Sequence, residues 1–341
     1  TRVQLSGHHE SRDVVAWWRK ESDRSVAKTM TRAGEWLERH YKEQFFLYVD
    51  TWDPHEPWDA PSYYTEQYMP DYDGEVVQPP YANWEDSPSL DESKVRKALA
   101  TYRGEVSMVD TWVGHLLRKI ENMGLMENTA IIFTTDHGFY FGEHGGLFGK
   151  MTFAKNPDGQ LYQHGDPDSQ WSHSPLYEEL VALPLLMHVP GAASGVYSGQ
   201  SSAIDVMPTI LDLFEEDVPR WVQGKSLLPA ISNQSVPGRD FTISTIPFAN
   251  PGDRISSVDN VSRPLTAGLV TTISAGEWSL LYSVEPGMSE LYHLPTDPGQ
   301  KKNLIHNNSH TAHEIHQMLV SFMKTTNLSE ELTKPRLELR L

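Results

Sequence analysis

Apolar positions recur at helical spacing over residues 25–43, where Val26, Met30, Ala33 and Leu37 share one face and the charges fall elsewhere; the pattern predicts an amphipathic helix. It runs into "FFLYVD" at 45–50, short, aromatic and β-branched, which reads as a buried strand ending in the Pro-rich loop "TWDPHEPWDAP". Residues 59–90 are rich in Tyr, Pro and Asp and read as irregular. A second helix is predicted over 91–123, with Tyr102, Val106, Val109, Val113, Leu116 and Ile120 along one face and Gly124 as its C′ residue. The unbroken apolar run "TAIIFTT" at 129–135 suits a strand of a parallel sheet covered on both faces.

Beyond a Gly, Asp and His-rich loop at 154–174, "LYEELVALPLLMHVPG" reads as a turn of helix and another buried strand, and "AIDVMPTILDLF" as a helix capped by Asp205. The alternation of strands and helices predicts an α/β fold, a mostly parallel central sheet flanked by helices, over residues 1–235. From about 236 the pattern becomes strands ("FTIST", "AGLVTTIS", "EWSLLYSV", "ELYHL") closed by a helix near 309–325, which predicts a smaller α+β subdomain over 236–341.

Composition narrows the chemistry. The chain of 341 residues carries 46 Asp and Glu against 28 Lys and Arg, a formal charge of −18, which argues against a nucleic-acid partner. There is no cysteine, so disulfides, thiolate zinc sites and cysteine nucleophiles are excluded within it. No apolar run approaches the roughly 20 residues of a spanning helix, so no membrane segment is expected. Compartment and oligomeric state stay open.

In open α/β sheets ligands bind beyond the carboxyl ends of the strands, which singles out Asp53 and His55 after "FFLYVD" and Asp136 and His137 after "AIIFTT". Gly138 lets the chain bend at once, so that an adjacent carboxylate and imidazole can face one divalent cation. Lys150, after "GEHGGLFG", would bring a point charge to an anionic oxygen if the glycines fold the chain back, and is otherwise a solvated lysine. Glu143 and His144 either orient ligands or close a turn. Trp58, Tyr63, Tyr64, Tyr162 and Trp171 are candidates to stack on a sugar or aryl ring.

Taken in order, "FFLYVDTWDPHEPWDAP", "GEVSMVDTWVGHLLRKIENMGLMENTAIIFTTDHG", "GEHGGLFGK", "PLYEELVALPLLMHVPG", "AIDVMPTILDLF", "QGKSLLP" and "ELYHLPTDPGQKKNL" resemble the sulfatase family of the alkaline phosphatase superfamily. The resemblance implies an alkaline phosphatase-like fold and metal-dependent hydrolysis of a sulfate ester as small-molecule substrate. Asp136 and His137 match the family's late metal-binding pair, with Ca²⁺ expected and Mn²⁺ the alternative. His55 matches a histidine that contacts the sulfate or the leaving oxygen, and Lys150 a lysine that binds the transferred group. The family also carries two early metal-binding aspartates and a C/S-x-P-x-R sequence that yields a formylglycine nucleophile. Both are expected in a segment preceding Thr1, and these 341 residues alone are expected to be inactive. "SVPGR" at 235–239 fits S-x-P-x-R by chance, in a linker with no turn-and-helix pattern after it. The alternatives are a phosphonate monoester hydrolase or phosphodiesterase of the same superfamily, or a non-catalytic binding fragment.

Overall fold

The structure, a computed structural model, describes residues 20–77, 82–83, 91–153, 171–232, 236–245 and 271–341; of 82–83, 152–153 and 171–173 only the backbone is described. The chain divides into two compact units: one from the described parts of 1–80 and 84–130, the other from 81–83 and 131–341.

The first unit is built on two helices. Helix α1 (Ser25–His40) buries Val26, Met30, Ala33 and Leu37, the stripe its spacing predicts. Helix α3 (Glu92–Asn122) starts at Asp91, whose carboxylate accepts the Lys94 N–H, and ends before Gly124, which takes the expected left-handed conformation (φ 70°). Of the expected stripe Val109 and Ile120 are buried, Val113 and Leu116 pack against the core and Tyr102 meets Trp58; Val106 alone of the six faces solvent. The buried face also takes in Thr101, Gly104, Glu105 and Met108, because a short helical turn, α2 (Ser62–Thr65), lies so close that a Cβ on Gly104 would be 2.7 Å from Thr65 Oγ1. Val26, Met30, Ala60, Tyr64, Met108 and Val109 form the core between these elements. Residues 45–50 form no assigned strand, although Phe45, Leu47 and Val49 are half-buried and the alternate residues exposed.

In the second unit every strand pair among the described residues is antiparallel. Strand β2 (Ile131–Thr134) pairs with β7 (Leu185–His188), and β1 (Ala82–Asn83), β4 (Leu147–Gly149) and β3 (Tyr140–Phe141) make a three-stranded sheet in that order. Strand β5 (Met151–Phe153) pairs with β6 (Trp171–His173). The mostly parallel sheet is therefore not what these pairings form. A parallel return needs a long crossover, and the described residues between β2 and β7 contain only short turns of helix, such as α4 (Glu178–Val181).

The expected strands of the carboxyl-terminal region make one antiparallel sheet, β11 (Glu290–His293), β10 (Trp278–Tyr282), β9 (Thr271–Ala275) and β8 (Thr242–Thr245) in that order. Successive residues of a strand face opposite ways, and β10 uses both faces. Leu280 joins Ile273, Leu291 and Ile315, Leu319 and Met323 of helix α6 (Ser309–Thr325), whereas Leu281 joins Tyr140, Tyr177, Leu180 and Tyr292.

Helix α5 (Val206–Leu213) follows a 3₁₀ turn, Ala203–Asp205. Asp205 stands at the expected N-cap position of α5, but it is buried and its carboxylate makes no cap bond to that helix. Its carboxylate accepts the Ser202 N–H (2.9 Å), the Lys225 N–H (2.7 Å) and both Nε (2.8 Å) and Nη2 of Arg239. Burial alone would raise its pKa, but the bonds from Arg239, Lys225 and Ser202 win and hold it below the ordinary 3.8. A depressed folded value contributes stability that is present above the unfolded pKa and lost as pH falls below it. Asp205→Asn is accordingly expected to cost about 3–5 kcal/mol at neutral pH, by leaving Arg239 half-buried without its anion. The variant should also lose the wild type's extra stability decline below about pH 4. Urea midpoints measured from pH 7 to pH 3 check both.

Candidate active site

The chain leaving β2 reaches Asp136 and His137 and then turns against α4. Gly138 N–H donates to Leu180 O (3.2 Å), and a Cβ on Gly138 would lie 1.8 Å from Glu179 O. Only glycine fits, so the bend expected from its flexibility is imposed by a close backbone approach. Beyond β3 the chain reverses through "GEHGG". Gly142 (φ 107°), His144 (φ 52°), Gly145 (φ 76°), Gly146 (φ 96°) and Gly149 (φ 108°) all sit at positive φ. Glu143 closes this turn by accepting the Phe141 N–H (2.5 Å). His144 reaches inward instead: Nε2 meets Glu179 Oε2 at 2.9 Å, and the ring stacks on Tyr177 with centroids 3.6 Å apart.

The reversal delivers Lys150 to the Asp136–His137 pair. Lys150 Nζ is 3.3 Å from His137 Nε2, and Asp136 Oδ2 is 3.6 Å from the same nitrogen. His137 Nδ1 lies 2.8 Å from Gly138 O. A carbonyl oxygen can only accept, so Nδ1 carries the proton and Nε2 presents a lone pair. Asp136 is 83 % exposed in its side chain, with Oδ1 on the His137 N–H (2.9 Å). The Lys150 carbonyl is fixed by Ser174 Oγ (2.7 Å).

The donors fit part of a metal shell. A bare imidazole nitrogen and a carboxylate oxygen 3.6 Å apart suit two corners around a divalent cation, whose bonds to such donors are about 2.0–2.6 Å. Lys150 already brings positive charge to the imidazole donor. No group of three or more His, Cys, Asp or Glu side chains among the described residues is arranged to hold a metal, so Asp136 and His137 supply corners and not a full shell.

His55 belongs to the first unit. Its Nδ1 is 2.8 Å from Glu56 O, so the argument made for His137 applies: Nδ1 holds the proton and Nε2 is the basic nitrogen. The exposed Trp52 lies over its ring, with centroids 4.0 Å apart and tilted by 36°. Asp53, its strand-end companion, is buried and accepts the Val26 N–H at the start of α1 (2.7 Å), which makes it an anchor of the loop.

Among the aromatic candidates, Trp58 is 1 % exposed and Tyr64 is buried in the core, so neither can stack on a substrate; Tyr63 is exposed, with its hydroxyl on Glu21. Tyr162 and the Trp171 side chain lie outside the described residues, as does Ser235 of "SVPGR". Arg239 of that stretch is committed to Asp205. Nothing in the residue pattern pointed to Glu179, Tyr177 or Glu105, whose partners stand 35 or more residues away.

A family model described as Sulfatase matches residues 4–216. A multifunctional alkaline phosphatase superfamily protein of Trinickia caryophylli is 29% identical over 59% of this chain and 40% of its own length. An arylsulfatase of Clostridium perfringens is 23% identical over 78% of the chain and 50% of its own length. The chain thus spans about half the length, or less, of these curated relatives. Among solved structures, a phosphonate monoester hydrolase from Silicibacter pomeroyi superposes with a TM-score of 0.66 at 19% identity, covering 92% of this chain and 62% of its own. The likeness in fold is to the alkaline phosphatase-like hydrolases.

Adding one methyl at the bend should be costly. Gly138→Ala is expected to lower stability by about 1–3 kcal/mol, because Glu179 O must move. It should also displace the His137 ring resonances in a ¹H–¹⁵N spectrum; thermal melts and that spectrum check the two effects.

Proposed function

The chain belongs to the sulfatase family, and from that premise we propose that the protein is a sulfuric ester hydrolase in which Lys150, His137, Asp136 and His55 carry the chemistry. The observation that supports this reading most is the convergence of a lysine ammonium, a bare imidazole nitrogen and an exposed carboxylate within 3.6 Å. In water these groups are individually ordinary. Together they make a small polar site able to hold a cation and an anionic group side by side.

In this reading Lys150 binds the anionic oxygens of the transferred sulfuryl group, where charge has to be held as the ester bond breaks. Asp136 and His137 would hold a divalent cation, which sulfatases use; Ca²⁺ is proposed and Mn²⁺ is the alternative. When bound, it would supply Lewis-acid stabilisation of the transferred group. His55 gives a proton to the leaving oxygen. Its Nδ1–H is committed to Glu56 O, so Nε2 is the atom that takes up and releases this proton. Among the described residues no helix is long and apolar enough to cross a membrane.

Two measurements test the proposal. Titrating Ca²⁺ or Mn²⁺ into the folded chain should perturb the His137 ring signals, and Asp136→Asn should weaken that response at least 10-fold; an unchanged response would remove the metal assignment. In the protein as the cell makes it, p-nitrophenyl sulfate should be hydrolysed faster than phenyl p-nitrophenyl phosphonate. Lys150→Ala should lower kcat by about 10²–10³. Preference for the phosphonate ester would overturn the sulfate reading in favour of the phosphonate hydrolase alternative.

A further inference from the structure

The loop that carries His55 is held by groups that no step of the proposed reaction uses. At its start, Asp53 Oδ2 accepts the Val26 N–H. At its end, the Asp59 carboxylate meets Arg24 Nη1 at 2.5 Å, and the Asp59 N–H donates to Glu105 Oε1 at 2.6 Å. In between, Trp58 is buried edge-on against Tyr102 of α3 and closes the loop on itself through Nε1 to Pro54 O (3.1 Å). His55 N–H also turns back to Trp52 O (2.9 Å).

Glu105 is the anomaly in this arrangement. It is 1 % exposed, and among the described residues its Oε2 has no hydrogen-bond partner and no lysine or arginine forms an ion pair with it. The charged groups that face it are Asp53 and Asp59 from the loop and Arg24 from the entry to α1. One guanidinium, already bound to Asp59, stands against three carboxyl groups. Burial first, and then the fields of Asp53 and Asp59, raise Glu105 well above the ordinary carboxylate value. As a neutral acid it can be buried while its oxygen still accepts the Asp59 N–H.

We propose that Glu105 is a positioning residue for His55, fixing the direction of the imidazole from α3 through the backbone of the 53–59 loop. The inference rests on the reading of His55 as the leaving-oxygen proton donor. For an acid with a raised folded pKa, stability is complete below the unfolded value and declines as pH rises from there through the folded value. Burying Glu105 therefore costs stability at neutral pH, and what the loop obtains in return is a fixed anchor for its Asp59 end. Ionisation of Glu105 would add a third negative charge beside Asp53 and Asp59 and slacken the loop at both of its ends.

The test is the ring-nitrogen spectrum of His55, assigned with His55→Asn, in wild type, Glu105→Gln and Glu105→Leu. Wild type should show the Nδ1-protonated tautomer and, besides the histidine's own titration, a second pH step from Glu105. Glu105→Gln keeps an acceptor for the Asp59 N–H, so it should keep the tautomer and lose the second step. Glu105→Leu has no acceptor and should shift the His55 signals throughout. Unchanged His55 signals in a folded Glu105→Leu protein would overturn the proposal and make Glu105 structural. If that variant does not fold, Glu105→Gln decides: a second step that persists in it overturns the proposal. Absence of sulfate ester hydrolysis would instead remove the proton-donor reading of His55 and leave the spectral result standing, so the two failures are separable.

Discussion

The placing of Asp136, His137 and Lys150 depends on one short segment, residues 174–181, being held rigidly against the carboxyl-terminal sheet. Its hydrogen bonds go to widely separated parts of the second unit: Thr272 Oγ1 to Leu176 O (2.6 Å), Gln300 Oε1 from Glu178 N–H (2.8 Å), and Tyr177 OH to Glu290 (2.6 Å). The same segment then serves as the template for the site. It accepts Gly138 N–H, pairs Glu179 with His144, receives the Tyr140 hydroxyl at Pro175 O and fixes Lys150 O through Ser174. Burial, with Glu290 adding to it at Tyr177, pushes the Tyr177 and Tyr140 phenols far above their ordinary pKa, so both are neutral donors near neutral pH.

The two histidines of the proposed reaction are set up in the same way by their own backbones. His55 and His137 each direct Nδ1 at the carbonyl of the next residue, 2.8 Å away in both cases. The local turn thus selects the tautomer in both; at His55 the buried Glu56 carboxylate, 3.3 Å from Nδ1, reinforces it. Their neighbours differ. His137 Nε2 faces a lysine, whereas the His55 ring lies under an exposed tryptophan.

The sequence was most readable where structure is local. Val26, Met30, Ala33 and Leu37 marked the buried face of α1, and Gly124 marked the end of α3, because period and cap are properties of adjacent turns. On α3 the apolar residues other than Val106 marked the buried face, but they gave no sign that Gly104 and Glu105 also face inward to meet Thr65 and Asp59 from distant parts of the chain. The run "AIIF" suggested a parallel strand, but strand direction is decided by the partner, which a strand's own residues do not encode. The Asp136–His137 pair and the returning Lys150 were legible from the glycines around them. What fixes those glycines, Glu179 O against Gly138, was not, because it depends on a contact more than 40 residues away.

The two units anchor their site loops by opposite physical means, and this difference is instructive. In the second unit the template is mainly aromatic: Tyr140, Tyr177, Leu180 and Tyr292 pack on Leu281, and the hydroxyls donate to fixed acceptors. It also carries carboxyl groups, since Glu179 meets His144 and burial pushes the Glu178 carboxyl upward. In the first unit the loop is anchored by carboxyl groups, Asp53, Asp59 and Glu105, sharing the field of Arg24, and burial pushes Asp59 upward despite that cation. A charged clamp of this kind holds only while its proton count is right. It follows that pH acts on the His55 loop through its carboxyl anchors, whereas the Asp136–His137–Lys150 grouping leans mainly on aromatic packing and phenol hydroxyls.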